Sequence, residues 1–125
     1  MSATDFVVTI HALERMEERF TDTVADLDDV AQAQLIHAEV HDALEAGRHS
    51  TVPPIELSAR SNERWEARTT GSYYVWTQDK TRGYLVVDDP EEGMVILTVI
   101  VGIEREKAVY DRLRKRSKAT IRSHP

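Results

Sequence analysis

Two side chains near the N-terminus have the types and spacing that chemistry on a phosphate requires. His11 and Arg15 are four residues apart, so on a helix they lie one above the other on one face. An imidazole exchanges a proton near neutral pH, and a guanidinium beside it binds an anion. Arg19 extends this face by one turn. The same pattern is typical of a solvated surface helix, so both interpretations stay open here.

A second histidine pair, His37 and His41, has the same i, i+4 spacing. This spacing suits zinc, but the pair lacks the glutamate of an HExxH motif, and no third ligand is obvious in the sequence. We interpret the pair as partly exposed helix histidines, and we predict neither a metal nor another cofactor. The acidic run at 88–92 lacks the ordered spacing of a calcium loop, so we interpret it as a solvated turn.

Hydrophobic periodicity predicts the elements that position these residues. A short β-branched run at 6–10 is typical of a strand, and the apolar residues of 10–20 then recur with helical spacing. A second helix is predicted from about 26–29 to 46, where Gly47 ends it. The loop at 48–62 contains two adjacent prolines that favour extended backbone.

From residue 64 the pattern changes to period-two or continuous apolar runs. These runs predict strands at 65–70, 73–77, 84–87 and 94–101. The last run is polar only at Thr98, and we expect it to be the central, most buried strand. A final helix is predicted at 104–118.

Short turns between the predicted strands indicate an antiparallel meander. The sequence therefore predicts an α+β fold, with N-terminal helices packed on one face of an antiparallel sheet of about four strands. We divide the chain into an α+β domain at 1–104 and an added basic helix and tail at 105–125.

Length and composition narrow the class of protein. The chain has 125 residues, enough for one modest core, and 41% of them are hydrophobic. It has no cysteine, which excludes disulfides, zinc–thiolate sites and thiol nucleophiles. No apolar run approaches the ~20 residues of a membrane span, and the first residues do not have a signal-peptide pattern. We expect a cytoplasmic protein that does not contact a membrane.

Charge is distributed unevenly along the chain. Residues 105–125 hold eight basic and two acidic side chains, a net +6, so the preceding 104 residues carry −12. An acidic body is not the profile of a general nucleic-acid binder. We predict that the tail folds back on the acidic surface or mediates a homodimer, and that it is not an independent nucleic-acid arm.

The string HALERMEER at 11–19 resembles the first helix of small bacterial and phage proteins related to RelE. They belong to the barnase–EndoU–colicin–RelE ribonuclease-like group. The start and end of the second helix, at 28–30 and 43–47, and the strands at 84–87 and 95–99 are also similar. The resemblance covers roughly 7–102 with gaps. The chain departs from the pattern in its longer second helix, its diproline loop and its appended basic helix.

The resemblance implies a possible metal-free cleavage of RNA, as several relatives are toxins of that kind. His11 would then be the proton donor or acceptor, Arg15 would hold the phosphate, and Thr98 would lie near the first helix and orient a phosphate or water. The expected substrate-binding residues are Arg19, Lys80, Arg82 and Tyr84, with Tyr73 or Tyr74 as other candidates for stacking on a base.

Two functions stay open on the sequence alone. One is a RelE-like, metal-independent ribonuclease that uses His11 and Arg15 on an RNA substrate. The other is a non-catalytic phage or toxin–antitoxin component whose acidic surface binds a basic host protein or a cognate antitoxin. The charge of −12 outside the tail argues against the first function, because binding free RNA relies on many Lys and Arg contacts.

Overall fold

The computed structural model describes residues 6–58 and 71–122, with side chains through residue 115. The described residues form five strands and four helices, which confirms the predicted α+β class. In chain order the elements are β1 (Phe6–Val8), α1 (Ile10–Arg19), α2 (Thr21–Val24), α3 (Asp29–Glu45), β2 (His49–Ser50), β3 (Ser72–Trp76), β4 (Arg82–Asp89), β5 (Gly93–Val101) and α4 (Ile103–Arg122). The strand predicted at 65–70 lies outside the described residues. No helix in the described ranges is long and apolar enough to cross a membrane.

The strands form one sheet in the order β1-β5-β4-β3-β2. β1 pairs parallel with β5, and the other neighbours pair antiparallel, as the short turns predict. The prediction that 94–101 forms the central strand is wrong, because β4 holds that place. The centre moves to β4 because the loop after α3 contributes a two-residue edge strand, β2, which the sequence pattern does not reveal.

The two longer N-terminal helices, α1 and α3, pack on one face of the sheet, as predicted. Their apolar side chains meet alternate strand residues in a core of Ala12, Met16, Phe20, Val24, Ile36, Val40, Ala43, Val75, Tyr84, Val86, Ile96 and Val99. The intervening strand residues Tyr74, Leu85 and Ile100 form a smaller cluster with Leu57 on the opposite face. Each large side chain buried in these clusters contributes about 1.5–3 kcal/mol relative to an exposed one.

Thr9 fixes the start of α1 on the sheet. Its hydroxyl oxygen accepts the N–H of Ala12, which caps the helix, and its hydroxyl also donates to the carbonyl of Leu97 on β5 (both 3.1 Å). The N–H of Thr9 donates to the carbonyl of Ile96 (3.2 Å). The helix that carries His11 and Arg15 therefore begins at a defined point beside β5.

Gly102 lets α4 begin directly against the turn between β3 and β4. Its N–H donates to the carbonyl of Thr81, and the N–H of Glu104 donates to the carbonyl of Lys80 (2.9 and 3.0 Å). A Cβ atom at position 102 would lie 2.1 Å from the Lys80 carbonyl oxygen, so only glycine permits this approach of two backbones.

A buried ion pair joins α3 to the sheet. Arg82 of β4 donates from Nε and Nη2 to the carboxylate of Glu39 on α3 (2.8 and 2.5 Å). The hydroxyl of Tyr84 donates to the same carboxylate and accepts a bond from the Arg82 Nε. Burial alone would lower the pKa of the guanidinium, but the Glu39 carboxylate beside it raises that pKa above its ordinary value. Arg82 therefore stays charged although it is only 8% exposed.

We expect Glu39→Ala to lower the free energy of unfolding by about 3 kcal/mol, since it leaves the buried Arg82 charge without its partner. Chemical denaturation measures this loss. Glu45→Ala removes an exposed glutamate from the same helix and is the matched control, with an expected change within about 0.5 kcal/mol. Equal unfolding midpoints for the two variants would contradict this role for the ion pair.

Candidate functional site

His11 and Arg15 lie on α1, as the sequence predicts, and both side chains are partly exposed. Arg15 donates to the carboxylate of Glu18 (2.8 Å). Burial, and then the nearby Arg15 charge, lower the pKa of His11 below its ordinary value. Its imidazole is therefore neutral at pH 7, the form that accepts a proton.

The side chain of Thr98 lies on the face of the sheet opposite to the one that α1 covers, so the structure does not favour its expected role beside this helix, and that role stays a prediction. A β-bulge at Leu97 is the physical reason for this orientation. Val86 pairs with Ile96 while Leu85 pairs with Thr98, which leaves Leu97 as an extra residue. The bulge shifts the alternation along β5 by one position, so Val99 rather than Thr98 follows Ile96 on the helix-covered face. Thr98 lies beside Leu85 on the opposite face and is 1% exposed.

The predicted substrate-binding residues divide into one exposed residue and three that are engaged within the protein. Lys80 is exposed in the β3–β4 turn, with a positive φ of 60°. Arg19 donates to the carbonyl of Val99 (2.7 Å). Arg82 and Tyr84 belong to the buried Glu39 group, and Tyr84 is 1% exposed. A role for these residues in binding substrate stays a prediction, and for Arg82 and Tyr84 the burial does not favour it.

A groove that the sequence does not reveal lies between α3 and the β4–β5 turn. It has a volume of about 770 Å³. Among the described residues its lining consists of His37, His41, Leu44, His49, Thr51, Tyr73, Asp88, Asp89, Pro90, Glu91, Gly93 and Met94. We call it the acidic groove. The i, i+4 histidines and the acidic run are each visible in the sequence, but nothing in the sequence indicates that they face one another.

The histidines of the acidic groove are positioned by α3 and by a ring contact. The His37 ring stacks on Phe6 of β1, with ring centres 3.9 Å apart and planes 15° apart. The His41 ring follows one turn later, with its centre 6.3 Å from that of His37. Burial, and then the neighbouring His41, lower the pKa of His37, so it is neutral at pH 7.

The acidic side of the groove is held by hydrogen bonds around the β4–β5 turn. Asp89 accepts the N–H groups of Glu91 and Glu92 (2.8 and 2.9 Å). These bonds, that from Glu92 first, lower the pKa of Asp89 and keep it ionised. The Tyr73 hydroxyl donates to Asp88 (3.0 Å), and burial, followed by this contact, raises the pKa of Tyr73. The phenol stays neutral and holds the carboxylate towards the groove.

These residues suit a ligand that is positively charged and partly apolar. Asp88, Asp89 and Glu91 provide the carboxylates of the lining, and Leu44, Met94 and the ring of Tyr73 provide its apolar surface. Within the described part of the chain, no three histidine, aspartate or glutamate side chains converge closely enough to hold a metal ion. A Lys or Arg side chain fits this arrangement, with its stem on the apolar surface and its charge near the carboxylates.

No known protein family, curated protein or solved structure matches the chain. The similarity of 11–19 to RelE-related proteins therefore stays a resemblance.

We expect acidification to destabilise the protein, partly through His37. Because the pKa of His37 is lower in the folded chain than its ordinary value of about 6.5, the unfolded chain binds more protons as the pH falls below that value. The full free energy of unfolding is present above about pH 6.5 and declines as the pH falls towards the lower folded-state pKa. His11 acts in the same direction.

Urea denaturation at several pH values between about 7.5 and 5 measures this dependence. His37→Gln should make the decline with falling pH shallower, whatever it does to stability at neutral pH through the lost stacking on Phe6. His49→Gln removes an exposed imidazole and should keep the wild-type slope. The same slope in all three proteins would show that His37 does not contribute.

Proposed function

We propose that the chain is a protein-binding module that takes a basic segment of a partner protein into the acidic groove. One observation carries the proposal: the lining of the groove combines exposed carboxylates with apolar surface. Lys- and Arg-containing segments present the same combination, a cationic head on an aliphatic stem.

The carboxylates of the groove are available to a partner. Asp88, Asp89 and Glu91 are all exposed. Asp88 accepts a bond from Tyr73 and Asp89 accepts bonds from backbone N–H groups, and no Lys or Arg side chain of the described residues pairs with these three carboxylates. Asp42 and Glu39, by contrast, are paired with Arg48 and Arg82. The groove therefore keeps negative charge that other parts of the described surface have neutralised internally.

The size of the groove supports a short segment as the ligand. A volume of about 770 Å³ falls within the ~300–1,000 Å³ of typical ligand pockets. That room holds several side chains of one helical or extended segment. Charged groups around an apolar patch set the orientation and association rate of a partner more than its total affinity.

The same features disfavour a phosphate ligand at this site. Nucleic acid binding releases counterions through Lys and Arg contacts, and the groove lining among the described residues contains neither residue type. The RelE-like resemblance suggests which basic partners to consider: a cognate antitoxin or a basic host protein. The proposal covers both kinds of partner, and a binding assay with each candidate protein distinguishes between them.

We expect Asp88→Asn, Asp89→Asn and Glu91→Gln together to weaken binding of a fluorescent oligo-arginine peptide about tenfold at low salt. Three exposed ion pairs of about 0.5 kcal/mol each account for that factor. The amide groups keep the acceptors for the Tyr73 and backbone bonds, so the turn should be preserved. Fluorescence anisotropy measures the affinity.

The matched control neutralises three exposed carboxylates outside the groove: Glu14→Gln, Glu17→Gln and Asp26→Asn. It changes the net charge by the same amount, so it accounts for nonspecific attraction of the peptide to an acidic protein. Binding should stay within about twofold of wild type in this variant. If both triple variants weaken binding equally, the groove is not the binding site.

A second candidate function is the metal-independent ribonuclease, and the state of His11 favours it. A neutral imidazole one helical turn from the cationic Arg15 offers a proton acceptor and a phosphate-binding cation, the two groups that this cleavage needs. The Nε2 atom of His11 is buried, so a substrate reaches that atom only if the surrounding side chains move. Arg15 is 31% exposed at its side chain, so it can reach a ligand, although Glu18 competes for it.

We expect His11→Ala to lower any cleavage of single-stranded RNA about 100-fold or more in the presence of a chelator, since proton transfer contributes at least that factor. His41→Ala, which removes an exposed imidazole from α3, is the control and should cleave like wild type. Gel analysis of labelled RNA provides the measurement. Cleavage by His11→Ala at the wild-type rate, or none by wild type, rules out this candidate.

A further inference from the structure

The exposed part of α4 combines positive charge with large apolar side chains. Tyr110 and Leu113 are 61% and 55% exposed, and three residues apart they lie on one side of the helix. Arg112, Arg114 and Lys115 are exposed on the same stretch, and the Arg114 guanidinium lies over the Tyr110 ring (5.9 Å). The apolar side chains and positive charge of this stretch are therefore complementary to the apolar surface and negative charge of the acidic groove.

The base of α4 is fixed to the body of the protein. Arg105 binds the carboxylate of Asp22 on α2 (2.9 and 3.1 Å) and lies over the Phe20 ring (5.3 Å). The N–H of Ile103 donates to the carbonyl of Glu56 (2.8 Å), and the hydroxyl of Ser58 donates to Glu106. The first turn of the helix therefore cannot swing freely.

The acidic groove and the base of α4 lie at opposite ends of β5. Gly93 and Met94, at the start of the strand, line the groove, and α4 begins just after its last residue, Val101. A nine-residue strand spans about 26 Å at ~3.3 Å per residue. All side chains from 110 to 115 are exposed, so this stretch of α4 neither lies in the groove of its own chain nor folds back on the body.

We propose that the exposed face of α4 docks in the acidic groove of a second copy of the chain. The proposal rests on the proposed function of the groove and names the basic segment that fills it. Residues 105–125 carry +6 and the rest of the chain −12, so two copies attract where the tail of one meets the groove of the other. If each copy places its α4 in the groove of the other copy, the two equivalent contacts give a closed dimer with two-fold symmetry.

The occupant of the groove is the side of α4 that carries Tyr110 and Leu113. The groove admits several side chains but not a whole helix, whose diameter is about 10 Å. In the complex Tyr110 and Leu113 cover the apolar surface around Leu44 and Met94. The neighbouring Arg and Lys side chains reach Asp88 and Glu91 at the edge.

Light scattering on the full chain tests this docking at low salt and at about 0.5 M salt, where charges are screened within a few Å. We expect the mass of two 14.2 kDa chains at low salt and a shift towards one chain at high salt. The double variant Arg112→Glu with Lys115→Glu reverses the charge of the helix at two positions. The double variant Asp88→Lys with Glu91→Lys reverses the charge of the groove at two positions. Each double variant alone should raise the dimer dissociation constant about tenfold or more.

The decisive result is the mixture of the two double variants, which should form a one-to-one complex because the helix of one chain now complements the groove of the other. Glu17→Lys with Asp26→Lys reverses two exposed carboxylates outside the groove and should dimerise like wild type. Circular dichroism confirms that each variant is folded.

Three outcomes overturn the proposal. They are a wild-type monomer at low salt, a dimer that the groove reversal does not weaken, and a mixture that shows no complex. A monomer that still binds the oligo-arginine peptide in its groove would overturn the docking of α4 while leaving the proposed function intact. A chain that does neither would overturn both.

Discussion

A guanidinium buried against a carboxylate determines how the helical layer sits on the sheet. Taking Arg82 and Glu39 out of water is costly, and the cost is offset only when both make several well-placed hydrogen bonds. That requirement fixes both the position and the rotation of α3. His37 and His41 lie two residues before and after Glu39, about 200° around the helix, so they point to its other flank. The buried pair thereby sets where the histidines of the acidic groove lie.

A single extra residue in β5 has an equally large effect on which side chains of this strand pack against the helices. The bulge at Leu97 exchanges the two faces of the strand from that point on. Val99 then packs beneath the helices and Thr98 beside Leu85 on the opposite face. A bulge also increases the local twist of the strand. The carbonyl of the bulged residue, Leu97, accepts the hydrogen bond from the Thr9 hydroxyl at the start of α1. The entry of α1 and the shift in β5 are thus parts of one arrangement.

The contacts at the start of α4 keep the exposed basic part of this helix away from the acidic groove. Gly102 brings the start of α4 against the β3–β4 turn, and the Arg105–Asp22 pair holds the first turn of the helix there. The acidic groove lies at the far end of β5. The chain therefore presents a concave acidic surface and an exposed basic helix that do not neutralise each other. Separated complementary surfaces of this kind favour contacts between molecules over contacts within one.

The sequence by itself determined the local structure and the distribution of charge. Periodicity located α1, α3 and the strands β3 to β5, Gly47 marked the end of α3, and the basic tail stood out from the acidic body. Only the tertiary structure decided which side chains meet. Arg82 looks like a surface turn residue until Glu39, 43 residues away, covers it. His37 and Asp89 are far apart in the sequence and line one groove only in the folded chain. Periodicity encodes which side of an element is buried, whereas strand register, bulges and helix rotation depend on contacts between distant residues.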